Sequence, residues 1–369
     1  MGASASTLPD NLTKDQASVA FGDGFSPETF DSLATDGVIT KSAAIDYMNS
    51  SVKNSAFVFI KPHANTKEAQ AYVKSALIEA KLNVLAEGEI MGSEIDSKKL
   101  IDQHYYAIAS KATILKPADL PVPADKFEEF FKESWATILA EDRTVNAMDA
   151  CERWSVNSQE LEVLWRACEP AGKVVKFGGG FYCGLVDGPE GKPPLYVFNA
   201  FFMSMRSKFV GDNSIYYFSV DWDPKDLSWS DFRNTLLGPT DPNDAPENSI
   251  RGTILKKYEE FGLKSQPNKG DNGVHASASP LEGLSEKMNW LGKSTTDEPF
   301  GSALVMNGFD ETTIKDYCVD ALTEGAGDDG VKSGSIFDAL EDMDASECLK
   351  KCVMVKFGEK EEGRFSVFK

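Results

Sequence analysis

Histidine is scarce in this chain: only His63, His104 and His275 occur in 369 residues. His275 ends the stretch Asn272-Gly273-Val274-His275 and is followed by Ala276-Ser277-Ala278-Ser279-Pro280, where a loop runs into an apolar-periodic segment. A neutral imidazole in that place is a nucleophile, and a helix N-terminus beside it favours an anion such as phosphate. Other chemistries fit poorly. The six cysteines (Cys151, Cys168, Cys183, Cys318, Cys348, Cys352) form no CxxC pairs and have no histidine near them in sequence. They read as reduced thiols with no zinc site. Gly191-Lys192 fails as a phosphate loop, because Val186 stands where its first glycine belongs and Pro193 where Ser or Thr is required.

Several elements must position His275. The continuous apolar run 56–60 reads as a buried strand. A helix over 67–80 follows, with Ala69, Val73, Ala76, Leu77 and Ala80 on one face. Residues 82–91 read as a second strand and 93–105 as a second helix. Residues 107–198 break this rhythm with proline-rich linkers and Gly178-Gly179-Gly180, and read as an insertion. Pattern resumes with a helix over 201–209, an alternating strand over 214–222 and a helix over 228–237. A turn-rich loop, Gly238-Pro239-Thr240-Asp241-Pro242, comes next. The last clear helix spans 280–291, with Ser279 as N-cap, Pro280 at N1 and Glu282 completing a capping box. Its inner stripe is Leu281, Leu284, Met288 and Leu291.

Without the insertion, the order is strand–helix–strand–helix–helix–strand–helix–loop–helix. A short fourth strand ahead of His275 completes an α+β fold. The expectation is a ferredoxin-like split βαβ core, a four-stranded antiparallel sheet with helices, carrying an inserted subdomain. The core domain is expected over 55–320, interrupted by 107–198. Residues 1–54 form an N-terminal extension holding a degenerate EF-hand-like helical pair. In that register Ser32, Ala34 and Ala43 fill the first, third and twelfth ligand positions, and two of these three cannot chelate calcium. Residues 321–369 form an acidic C-terminal extension with helical pattern near 336–349.

A net charge of −20 argues against nucleic acid or an anionic membrane as the main partner. No apolar run approaches the ~18 residues of a membrane span, and the N-terminal residues lack the apolar stretch of a secretory leader. The expected location is cytoplasmic. Met1-Gly2-Ala3-Ser4-Ala5-Ser6 fits an N-myristoylation signal with Gly2 as acceptor. No polybasic run follows it, so an acyl chain there gives at most weak, reversible peripheral membrane contact.

Five motifs in chain order resemble the nucleoside diphosphate kinase family. They are Phe59-Ile60-Lys61-Pro62, His104-Tyr105, Leu237-Gly238-Pro239-Thr240-Asp241-Pro242, Ser249-Ile250-Arg251-Gly252 and Asn272 through Ser279. Glu286, eleven residues past His275, stands where the family carries a histidine-orienting glutamate. The resemblance implies ping-pong transfer of the terminal phosphoryl group of a nucleoside triphosphate to a nucleoside diphosphate. His275 would carry the phosphate, and Mg2+ would accompany the nucleotide. Lys61, Arg251 and Arg233 would supply positive charge, and Tyr105, Thr240 and Asn272 neutral hydrogen bonds. Glu286 would hold one imidazole tautomer, and Phe201 or Phe202 would stack on the base. His63 reads as incidental, and no protein metal ligand is expected.

The chain also departs from the family pattern. Ala278 and Ala107 stand where the family has acids, and Ala276 where it has glycine. The Arg233–Thr240 spacing is one residue longer, and Arg251–Asn272 about eleven. Two readings therefore stand. One is a phosphotransferase acting through His275. The other is a catalytically weak or inactive nucleotide-binding scaffold on the same fold, whose insertion serves a homo-oligomer or protein partner.

Overall fold

The computed structural model describes residues 8–22, 25–178, 180–327 and 333–358. Gly2 and its acylation motif lie outside them. The chain divides into two compact units, Met1–Glu89 with Tyr216–Lys369, and Ile90–Ile215. The second encloses the stretch 107–198 read as an insertion.

In chain order the principal strands are β1 (Asn54–Ile60), β2 (Asn83–Met91), β3 (Thr144–Asn146), β4 (Val174–Gly178), β5 (Phe181–Val186), β6 (Leu195–Phe198), β7 (Ser214–Trp222) and β8 (Val274–Ala276). Among the helices are α1 (Lys67–Glu79), α2 (Leu100–His104), α3 (Ser158–Cys168), α4 (Phe201–Ser207), α5 (Ile250–Lys256), α6 (Pro280–Leu291), α7 (Pro299–Met306) and α8 (Ala345–Phe357).

The first unit is built on a four-stranded sheet in the order β8-β1-β7-β2. β1 runs antiparallel to both β7 and β8. Every residue of β1 is buried, as its unbroken apolar run requires of a strand covered on both faces. Alternation divides its side chains between two layers. Ala56, Val58 and Ile60 join α1 residues Ala69, Val73 and Leu77 in one core. Phe57 and Phe59 point the other way, and both pack against Trp290 of α6. Full burial of each such ring contributes about 1.5–3 kcal/mol.

The fourth strand is only three residues long. That brevity is why no apolar run marks it in the sequence. Its register pairs Val274 with Ile60, His275 with Phe59 and Ala276 with Val58. Val274 and Ala276 therefore enter the α1-side core, and His275 falls on the face beneath α6. The long segment before the strand does not displace it: Tyr258, Phe261 and Leu263 pack into the same core. α6 reaches β1 closely because residue 283 is glycine, and a Cβ there would collide with the Ser55 carbonyl.

The stretch read as an acidic tail also contributes to this unit. Ile336 and Leu340, with Cys348, Leu349, Cys352 and Val353 of α8, form a core with Leu281 and Leu284 of α6. Net acidity concealed an inner apolar face. The capping of α6 differs from expectation as well. The Ser279 hydroxyl accepts from the Glu282 N–H, but the Glu282 carboxylate turns to the Ala278 N–H at 3.2 Å, so no capping box closes.

The second unit holds its own four-stranded sheet, β3-β6-β5-β4, with Trp165 and Cys168 of α3 and Phe202 of α4 in one core and an aromatic cluster around Phe127 and Tyr196 in another. Among the described residues, no helix is long and apolar enough to cross a membrane.

Candidate functional site

His275 has a precise chemical setting within the first unit. Its ring stacks on Phe59, centroids 4.7 Å apart and planes inclined 28°. Nε2 lies 2.6 Å from Glu286 Oε1. The other carboxylate oxygen, Oε2, accepts the Ser277 hydroxyl at 2.6 Å. The buried Ser277 is held in turn, its Oγ accepting the Phe57 N–H at 2.9 Å. An ionised carboxylate only accepts hydrogen bonds. The proton of a neutral His275 therefore sits on Nε2, and Nδ1 keeps its lone pair.

Burial drives the His275 pKa well below the ordinary histidine value, and the charges of Lys61, Arg251 and Arg233 add to the effect. The imidazole is therefore neutral, hence nucleophilic, across the physiological range. Its side chain keeps 18% exposure, so it is not sealed.

The loop leading to His275 is fixed by contacts that the spacing of residues does not reveal. Arg251 is buried; its Nε and Nη2 donate to the Val274 carbonyl at 3.1 and 2.9 Å, and Nη1 donates to the Gly238 carbonyl at 2.8 Å. It ties the turn after residue 237 to the strand that carries His275. Gly273 adopts φ 88°, a left-handed conformation that favours glycine. Its carbonyl accepts from the Lys61 N–H at 2.8 Å, and its N–H donates to His63 Nε2 at 3.1 Å. His63, read as incidental, is thus a support of this loop. Its position two residues past Lys61 was the only available signal. The Lys61 ammonium donates to the Gly270 carbonyl at 3.3 Å.

Asn272 is buried, and its Nδ2 donates to the Thr240 carbonyl at 2.9 Å. Its Oδ1 is buried and has no hydrogen-bond partner. Thr240 itself is exposed. Arg233 sits in a π-helical turn, Phe232–Leu237. Such a turn takes up one residue more than an α-turn, which suits the one-residue excess in the Arg233–Thr240 spacing. Its guanidinium is held by Glu341 and Asp342, two residues the sequence reading did not connect with the site. Ala278 supplies no acid; its N–H donates to Glu282.

The remaining candidates belong to the second unit. The His104 and Tyr105 rings meet edge-on at 4.6 Å. Phe201 is half-buried and meets Tyr182 edge-on at 5.6 Å. Phe202 is completely buried in that unit's core. As a base-stacking residue it is therefore corrected, because its ring is already enclosed by packing. Ala107 also lies in this unit.

Among the solved structures that overlap with this chain, two illustrate how weak the likeness is. Both are nucleoside-diphosphate kinases. One, from Borrelia burgdorferi, is a transition state mimic with bound vanadate and ADP; it is 15% identical, covers 65% of this chain and 87% of that one, and gives a TM-score of 0.30. The other, from Pyrobaculum aerophilum, is 16% identical, covers 64% of this chain and 95% of that one, and gives a TM-score of 0.31. At these values the overlaps have no weight in assigning an activity. No protein-family model matches the chain, and no curated protein matches it.

Proposed function

We propose that this protein is a phosphotransferase of the nucleoside diphosphate kinase type, with His275 as phosphate carrier. The observation that supports it most is the 2.6 Å contact between His275 Nε2 and Glu286 Oε1. It leaves Nδ1 unprotonated in a neutral ring, while Lys61, Arg251 and Arg233 are close enough to act on that ring electrostatically. In the first half-reaction the Nδ1 lone pair attacks the γ-phosphorus. An N–P bond forms, the bond to the β-phosphate oxygen breaks, and the diphosphate leaves with the electron pair. In the second, a β-phosphate oxygen of an acceptor diphosphate attacks the phosphohistidine and returns the lone pair to Nδ1.

The cations counter the charge of the transferring group. Asn272, with its unpartnered buried Oδ1, and Thr240 bind the nucleotide. Mg2+ enters with the nucleotide as part of the substrate. The core supporting this site is read as the ferredoxin-like split βαβ arrangement over 55–320, with 107–198 inserted. A second reading, a nucleotide-binding scaffold without turnover, draws on Arg233 being occupied by two acids.

The test is incubation with γ-labelled ATP and Mg2+, followed by a GDP chase. We expect acid-labile, base-stable label that is chased by GDP and absent from His275→Ala. Absence of label on the wild-type protein at high concentration overturns the reading.

A further inference from the structure

Arg233 does not present an unopposed charge. Its Nη1 donates to Glu341 Oε1 at 2.6 Å and to Asp342 Oδ1 at 2.8 Å. Both acids come from the turn between the helix Ile336–Leu340 and α8. That turn is pinned at two ends, at the second acid itself and just beyond the pair. On one side the Asp342 N–H donates to the Ala278 carbonyl at 3.0 Å, three residues past His275. On the other, the Asp344 carboxylate accepts from Asn54 Nδ2 and from the Trp229 N–H, each at 2.7 Å. The Ala345 N–H donates to Asn54 Oδ1 at 2.9 Å, and α8 buries Cys348, Leu349 and Cys352 below it. The turn therefore spans from the start of the helical segment bearing Arg233 to the loop after His275.

The charge balance opposes anion binding. One guanidinium faces two carboxylates, both on Nη1. A phosphate approaching Arg233 meets a locally negative surface. The acids are nevertheless displaceable: the Glu341 side chain is 51% exposed and that of Asp342 37%. Ion pairs of this exposure are worth only about 0–1 kcal/mol each. The anchors at Asn54, Trp229 and Ala278 do not depend on the Arg233 contact.

We propose that the Glu341–Asp342 turn is an intramolecular acidic strap that occupies Arg233 and competes with nucleotide phosphate for it. This inference rests on the nucleotide reading of the His275 site. A phosphate that wins the competition takes the Nη1 position and leaves the turn hanging by its backbone and Asp344 anchors. Without a competing anion, the strap holds Arg233 away from phosphate binding.

The test compares ADP binding by titration calorimetry for full-length wild type, E341Q/D342N, R233A and the triple variant, with melting temperatures confirming that each is folded. Removing both charges is expected to tighten ADP binding about tenfold, within the usual range of coupling between sites. That gain is expected to vanish when R233A is compared with the triple variant. Unchanged or weaker binding by the folded double variant overturns the strap, weaker binding meaning that the acids position Arg233. A gain that persists without Arg233 also overturns it, as a general charge effect. Failure of all four proteins to bind ADP overturns the nucleotide reading and the strap together, so the two failures are told apart.

Discussion

Glu286 and Lys287 are neighbours on α6, and each holds a partner of opposite potential charge. Glu286 holds His275 at 2.6 Å, and Lys287 holds Glu298 at 2.9 Å. Lys287 is fully enclosed; its ammonium also donates to Ser55 Oγ at 2.6 Å and, at 3.4 Å, to the Val220 carbonyl. All its donors are consumed by fixed protein acceptors. The His275–Glu286 pair differs in two ways. The imidazole keeps some surface, and its second nitrogen is left out of the Glu286 contact. Three cations act on it, whereas the Lys287 pair is a closed exchange of one charge for another. Burial lowers the Lys287 pKa while Glu298 opposes that shift. Pairing alone does not mark a reactive group; reactivity needs a reachable atom with positive charge close by.

The largest expected effect breaks the closed pair. Glu298→Ala leaves a buried ammonium without its counter-charge and should cost about 3–5 kcal/mol of stability. Urea unfolding measures it. Lys287→Met strands the buried Glu298 carboxylate in the same way and should cost a similar amount, whereas the double variant Lys287→Met/Glu298→Gln should cost far less. A loss for the double variant as large as that for Glu298→Ala would contradict the view of this pair as a matched structural charge.

The next effect falls on the reactive pair. Glu286→Gln presents an amide that can donate to Nε2, so the imidazole proton is no longer confined there. Phosphohistidine formation should slow at least about a hundredfold, the lower end of what a positioned proton-handling group contributes, while stability changes by less than about 1 kcal/mol. Rapid-quench labelling gives the rate. An unchanged rate would remove Glu286 from the mechanism.

The smallest effect concerns Glu282. Burial, followed by the charge of Glu286, pushes its pKa up to about 8 from 4.5. The folded protein thus binds this proton more tightly than the unfolded chain. Its stabilising contribution is complete below 4.5 and is lost as pH rises through about 8. Glu282→Gln should be neutral at low pH and should melt roughly 2–5 °C above wild type in alkaline buffer. A difference between the two proteins that does not change with pH would show that Glu282 ionises normally.

Much of the frame could be read in the residues. The run 56–60 announced the central strand, because only a doubly covered strand tolerates five successive apolar residues. The start and stripe of α6 followed from Ser279, Pro280 and a helical period. The three-residue β8 could not be read this way: only Val274 and Ala276 are apolar, His275 between them serves the site, and its place is set by pairing with Phe59 and by Arg251 gripping the Val274 carbonyl. Nor did composition reveal that the acidic C-terminal stretch packs under α6. A charge count is blind to which face a residue occupies.

What the sequence determined by itself was the inventory: one histidine before a capped helix, a glutamate eleven residues on, and cations distributed along the chain. Local rules of period, capping and turn chemistry suffice for that, because they act over a few residues. Only the tertiary structure decided what those groups do to one another. It gave His275 its tautomer through Glu286 and Ser277, turned His63 into a loop support, enclosed Phe202, and placed Glu341 and Asp342 on Arg233 from more than a hundred residues away. Hydrogen bonds and charge act over a few ångströms in space, and separation along the chain does not record which groups will come that close.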